Sequence, residues 1–127
     1  MTMILNTDSY KTSHYLQYPP KTRAISAYVE ARHGGAYDQA LFFGLQMFLK
    51  EYLARPVTKG DIAEAAEIIP AHGLPFNRAD WDALLNDHGG YFPLRIEALP
   101  EGTLVPTGVP LVQIWNTDPR FFWLPTY

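Results

Sequence analysis

Thr7-Asp8-Ser9-Tyr10-Lys11-Thr12-Ser13-His14-Tyr15-Leu16-Gln17-Tyr18-Pro19-Pro20 is the stretch around which the rest of the chain is read. Thr7 or Asp8 is placed to cap a helix, because either side-chain oxygen can accept from the free N–H groups of a first turn. Pro19 disfavours the α region at Tyr18, so the helix is predicted to end near Gln17. At four-residue spacing Tyr10 and His14 share a stripe that extends towards Tyr18, with Lys11 and Tyr15 beside it. Aromatic rings next to a carboxylate and a base suit a flat, polar heterocycle. The same residues also describe a tyrosine-rich amphipathic helix covering a core.

Beyond the prolines, Ala24 to Arg32 alternates, with Ile25, Ala27, Val29 and Ala31 against Ser26, Tyr28, Glu30 and Arg32, the period of a half-buried strand. Arg32 ends it, before His33-Gly34-Gly35. An arginine beside a glycine turn can clamp a phosphate with its planar fork, though a surface arginine before a flexible loop has the same appearance. Ala40 to Leu53 carries apolar residues at helical spacing, and Gly44 within it implies a close neighbour, since glycine costs a helix interior about 1 kcal/mol. Thr58-Lys59-Gly60-Asp61 has the form of a capping box for a helix with Ile62, Ala65, Ala66 and Ile69 on its apolar stripe. Asn77 is set to cap a further helix carrying Trp81, Leu84 and Leu85, which Gly89-Gly90 stops.

The last third reads as strands. Leu94, Ile96 and Ala98 alternate with Arg95 and Glu97; Leu104-Val105 is short; Val109, Leu111, Gln113 and Trp115 share a face, with Pro110 at the strand's start or on an edge. Asp118 with Pro119 opens a final helix. Its Phe121, Phe122, Trp123 and Leu124 must pack on something, since each large apolar side chain left in water forgoes about 1.5–3 kcal/mol.

The 127 residues support one domain with a small core. A net charge of −3 gives no electrostatic case for nucleic acid. No apolar run approaches the roughly 20 residues of a membrane span, and residues 1–6 lack the basic region of a signal peptide. With no cysteine there is neither a disulfide framework nor a thiolate nucleophile, and a cytoplasmic location is acceptable. His14, His33, His72 and His88 have no metal-ligand spacing. There is no Walker loop, dinucleotide fingerprint or nucleophile elbow. The residues therefore predict an α+β domain: a short, mainly antiparallel sheet with three to four helices packed on one side. They show one polar-aromatic patch and no self-sufficient catalytic or metal site.

The pattern T-D-S-Y-K-x-x-H-x-x-x-Y-P-P of residues 7–20 resembles the N-terminal signature of the nicotinamide phosphoribosyltransferase family. The likeness continues through Tyr28-Val29-Glu30-Ala31-Arg32, Phe43-Gly44-Leu45-Gln46, Pro100-Glu101-Gly102, Asn116-Thr117-Asp118-Pro119 and Trp123-Leu124, in the family's order and over nearly the whole chain. The related nicotinate enzymes share an early T-D-x-Y; the S-Y-K-x-x-H extension favours the nicotinamide branch.

The resemblance implies an enzyme that joins nicotinamide to phosphoribosyl pyrophosphate, giving nicotinamide mononucleotide and pyrophosphate in the salvage of NAD. Mg²⁺ and ATP are implied for the whole enzyme, and none is expected to be bound by this chain alone. The family's catalytic α/β barrel follows this part, so residues 1–127 are expected to be the N-terminal domain only, cut short at its C-terminus and inactive by itself. The family's site forms at a dimer interface, implying a homodimer or a complementing barrel chain as partner. Carried over by motif, Tyr10 stacks on the nicotinamide ring, Asp8 sits beside it and Arg32 approaches the phosphates. Two other readings stay open: a non-catalytic binding or oligomerisation module, and an inactive truncated product.

Overall fold

The computed structural model describes residues 2–127. Its strands are β1 (Ser26–Glu30), β2 (Gln39–Leu41), β3 (Leu94–Ala98), β4 (Leu104–Pro106) and β5 (Pro110–Asn116). Its α-helices are α1 (Leu45–Phe48), α2 (Lys59–Ala71) and α3 (Arg78–His88). The chain also forms 3₁₀ turns at both ends and a π-helical continuation of α1 over Leu49–Leu53. β5 is central in an antiparallel sheet of order β1-β5-β3, and β2 pairs with β4 as a separate antiparallel ribbon. The class is the expected α+β.

Local signals act where their partners are a few residues away. Thr58 Oγ1 accepts from the Asp61 N–H at 3.2 Å and Asp61 Oδ2 accepts from the Thr58 N–H at 2.8 Å, completing the capping box. Ile62, Ala65 and Ile69 of α2 are buried, as are Trp81 and Leu84 of α3. Gly89, in the left-handed region at φ 61°, ends α3.

Three expectations are corrected. The opening helix is a 3₁₀ helix over Ser9–Leu16. Thr12 Oγ1 donates to Ser9 O at 2.7 Å and Ser13 Oγ to Tyr10 O at 3.0 Å, so hydroxyls three residues on compete for the carbonyls. Tyr18 lies beyond the helix, which ends at Leu16, and packs edge-on against Phe122, 5.4 Å between centroids, away from the Tyr10–His14 pair. Residues 39–41 are strand, not the start of a helix, and Gly44 is the N-cap of α1 at φ 103°. No Cβ added at Gly44 meets another atom within 4 Å, so its glycine serves the backbone rather than a close neighbour. The residues after Asp118 form 3₁₀ turns, with Asp118 accepting from the Arg120 N–H at 2.9 Å.

Those last turns complete the core. Ile4, Ile62, Trp81, Leu84, Phe121 and Trp123 form one cluster, with Leu94 of β3 packed against it. Trp81 and Trp123 meet edge-to-face at 5.2 Å. Phe121 and Trp123 are buried, as expected, in the cluster that α2 and α3 also enter. The Tyr127 hydroxyl donates to Ile4 O at 2.7 Å and Thr7 Oγ1 to Tyr127 O at 2.6 Å, so the two ends of the described chain fasten each other.

Candidate functional site

The opening 3₁₀ helix has a core side and a solvent side. Thr12 is buried, while Tyr15 and Tyr18 pack on the core. Asp8 and Tyr10 face solvent, Tyr10 at 58% exposure. Asp8 occupies the N-cap position, yet its side chain makes no capping hydrogen bond. It lies instead by the Tyr10 phenol, whose pKa it raises, first through its charge and then as a hydrogen-bond acceptor. The Tyr10 ring also meets the His14 imidazole, with ring centroids 5.3 Å apart. The helix thus offers an aromatic ring with a carboxylate and an imidazole near it, held from behind by Thr7, Tyr15 and Tyr18.

Arg32 follows β1 and is exposed; among the described residues it forms no ion pair. Its two neighbours are both fastened to the turn before β5. Ala31 O accepts from the Gly108 N–H at 2.8 Å. His33 Nδ1 and Thr107 Oγ1 are in hydrogen-bond contact at 2.9 Å. Gly108, at φ 79°, leaves room for the imidazole: a Cβ there would overlap His33 Nε2 and stand 2.9 Å from Cε1. Asp8 and Tyr10 are brought together, whereas no hydrogen bond or ion pair among the described residues joins Arg32 to either. No sequence pattern signals the contact between His33 and Thr107, because Thr107 is 74 residues from His33.

Elsewhere the polar groups are occupied with structure. Asp80 accepts from Arg120 Nε at 2.8 Å and Asn77 Nδ2 at 2.7 Å, and Trp123 Nε1 approaches it at 3.3 Å. Asn116 accepts from the Ile25 N–H at 2.9 Å and donates to the carbonyls of Arg23 and Asp118, both at 2.9 Å. Among the described residues no three His, Cys, Asp or Glu side chains are grouped to hold a metal ion. No described helix is long and apolar enough to cross a membrane.

A second surface is apolar. Odd-numbered Tyr37, Gln39, Leu41 and Phe43 are exposed, while Ala40 and Phe42 are covered. Leu41 pairs across the ribbon with Leu104, also exposed. One face of this two-stranded ribbon is therefore open and mostly apolar, and Met47 and Phe48 of α1 add two more exposed apolar side chains. Glu101 joins ribbon to helix by accepting from the Gln46 N–H at 2.7 Å.

The crystal structure of human nicotinic acid phosphoribosyltransferase has a similar fold, with a TM-score of 0.61 and 25% identity, covering 96% of this chain and 24% of that one. The architecture is thus that of a domain found in a phosphoribosyltransferase. A family profile described as nicotinamide phosphoribosyltransferase, N-terminal domain, matches residues 2–96. Nicotinamide phosphoribosyltransferase of Xanthomonas campestris pv. campestris is 54% identical over 125 residues, 98% of this chain and 26% of that protein. The enzyme of the same name from Acinetobacter baylyi is 32% identical over an alignment of 136 residues, covering 94% of this chain and 27% of that protein. The chain belongs to the nicotinamide phosphoribosyltransferase family, and it spans about a quarter of the length of these relatives.

Proposed function

We propose that the chain is the N-terminal, substrate-site and dimer-interface part of a cytoplasmic nicotinamide phosphoribosyltransferase, acting in NAD salvage. In that reaction the pyridine nitrogen forms a bond to the ribose anomeric carbon as the bond from that carbon to pyrophosphate breaks. The products are nicotinamide mononucleotide and pyrophosphate. The observation that carries the reading is the Asp8–Tyr10 pair, exposed on a helix whose other side is anchored in the core. An exposed ring on a fixed support provides a stacking surface for a planar heterocycle at little entropic cost. Asp8 sits beside that heterocycle. Arg32, which forms no ion pair among the described residues, suits the phosphates of the second substrate with its planar fork.

The interface role is supported by the apolar ribbon face. Aromatic side chains bury about 150–250 Å² each. Tyr37, Phe43 and Phe48 with Leu41, Met47 and Leu104 thus approach the ~800 Å² per partner of a standard interface. Mg²⁺ and ATP belong to the whole enzyme in this reading. The 127-residue chain alone is expected to be inactive.

The test is to incubate the chain with nicotinamide, phosphoribosyl pyrophosphate and Mg²⁺ and assay the mononucleotide, alone and with a barrel-containing C-terminal chain from a relative. Turnover only in the mixture supports the proposal. Turnover by the chain alone overturns its inactivity, and a stable dimer with no turnover in any mixture favours a non-catalytic oligomerisation module.

A further inference from the structure

The residues on either side of Arg32 are held by a separate part of the chain. The Ala31 carbonyl is held by the Gly108 amide at 2.8 Å, and the His33 imidazole is held by Thr107 Oγ1 at 2.9 Å while lying over the bare Cα of Gly108. Thr107 is itself tied in, its N–H donating to Asp38 O at 2.9 Å across the loop that follows His33. Four strands meet here: Arg32 follows β1, Asp38 precedes β2, and Thr107-Gly108 joins β4 to β5. An exposed arginine in a glycine-bearing loop ordinarily samples many backbone directions. This one has its flanking residues fixed, while its guanidinium has no ion-pair partner among the described residues.

We infer that His33, Thr107 and Gly108 form a positioning clasp that presents the Arg32 guanidinium to a phosphate group of the phosphoribosyl substrate. The inference rests on the phosphate role proposed for Arg32 and adds the residues through which that role is exercised. The clasp residues need not touch substrate. They lower the ordering cost that a loop arginine would otherwise incur on binding, and their side chains carry no other evident duty. His33 and Thr107 stand clear of the main hydrophobic cluster, so their loss leaves the fold in place. Gly108 is required twice, by its positive φ and by the imidazole above it.

The test uses Thr107→Val, which removes the hydroxyl at nearly constant volume, with His33→Ala, His33→Asn and Arg32→Ala. Backbone-amide NMR on the chain as it stands should show increased local motion at residues 31–33 in Thr107→Val and His33→Ala, with an unchanged thermal midpoint. In the enzyme assembled with its barrel, Arg32→Ala should raise KM for phosphoribosyl pyrophosphate by about tenfold or more, as loss of a charge-assisted hydrogen bond does. Thr107→Val and His33→Ala should raise the same KM by about three- to tenfold, well short of the ~10²-fold that an ångström of misplacement can cost. KM for nicotinamide should stay unchanged, and His33→Asn, which keeps a polar atom near the Nδ1 position, should recover most of the loss. An unchanged phosphoribosyl pyrophosphate KM in Thr107→Val and His33→Ala, with Arg32→Ala impaired, overturns the clasp and leaves the role of Arg32 standing. No effect of Arg32→Ala overturns the phosphate role and the clasp together, even if the NMR shows loosening.

Discussion

His88 Nε2 lies 2.9 Å from Asp118 Oδ2, so the last turn of α3 is tied to the residue that caps the C-terminal turns. The same carboxylate accepts from the Arg120 N–H at 2.9 Å through its other oxygen. One side chain thus holds α3 and the segment carrying Phe121 and Trp123 in register.

That arrangement predicts an acid sensitivity of known sign. The Asp118 carboxyl is held below its ordinary value of 3.8, first by the Arg120 backbone hydrogen bond and then by His88; their charges add to the effect and burial opposes it. A group whose folded pKa is depressed stabilises the fold above its unfolded pKa and loses that contribution as pH falls through the folded value. The thermal midpoint should therefore fall as pH drops below 3.8. Asp118→Asn should lack that component of the fall. Asp118→Ala, which also removes the cap, should cost about 1 kcal/mol at neutral pH. Parallel pH profiles of wild type and Asp118→Asn would contradict the assignment.

Gly44 distinguishes two backbone states by the sign of one substitution. In a helix interior Gly44→Ala would stabilise by about 1 kcal/mol. At the observed φ of 103° it should destabilise, by about 1–2 kcal/mol, the steric cost of left-handed backbone for a residue with Cβ. Urea unfolding of the variant reads the sign directly.

The same region shows where sequence was legible and where it was not. Thr58 and Asp61 announce a helix start because both partners of the capping box lie within four residues. Leu94 to Ala98 was readable as a strand because its alternation is unbroken. Residues 40–53 read as one helix because Leu41, Phe42, Leu45, Phe48, Leu49, Tyr52 and Leu53 fit a period of 3.6, and Ala40 to Phe43, all apolar, show no alternation to oppose it. The strand is decided by its pairing to residues 104–106, which no local pattern reveals. Likewise, Val109, Leu111, Gln113 and Trp115 do share a parity, yet it is Val112 of the other parity that is buried. Of the candidate site, the juxtaposition of Asp8 with Tyr10 was local and legible. The clasp beside Arg32 joins residues from distant parts of the chain and was not.

Tryptophan emission should separate by environment. Trp81 and Trp123 are 2% and 3% exposed, while Trp115 is only half-buried, beside Arg95 on the sheet. Iodide should quench one component, and Trp115→Phe should abolish it. Trp123→Ala should cost about 3–5 kcal/mol, much of the 5–15 kcal/mol that a small domain has. If Trp123 proves as accessible to iodide as free tryptophan, the packing of the C-terminal turns described above is wrong.

Tyr10 joins the fold to the proposed chemistry. Asp8→Asn removes the charge that raises the Tyr10 phenol, so its titration, followed by ring-carbon NMR, should move back towards the ordinary value of 10.0. An unmoved titration would mean the two side chains do not meet. Tyr10→Ala should change stability by no more than about 0.5 kcal/mol, as exposed substitutions do. In the enzyme assembled with its barrel, the same variant should lose a stacking contribution of about 0.5–1.5 kcal/mol. At 1.4 kcal/mol per factor of ten, that is about a two- to tenfold fall in kcat/KM for nicotinamide. The phosphoribosyl pyrophosphate KM should be spared, the reverse of Arg32→Ala. A Tyr10→Ala variant that unfolds easily yet turns over normally would make Tyr10 a packing residue, and the open side of the first helix would then have no part in binding nicotinamide.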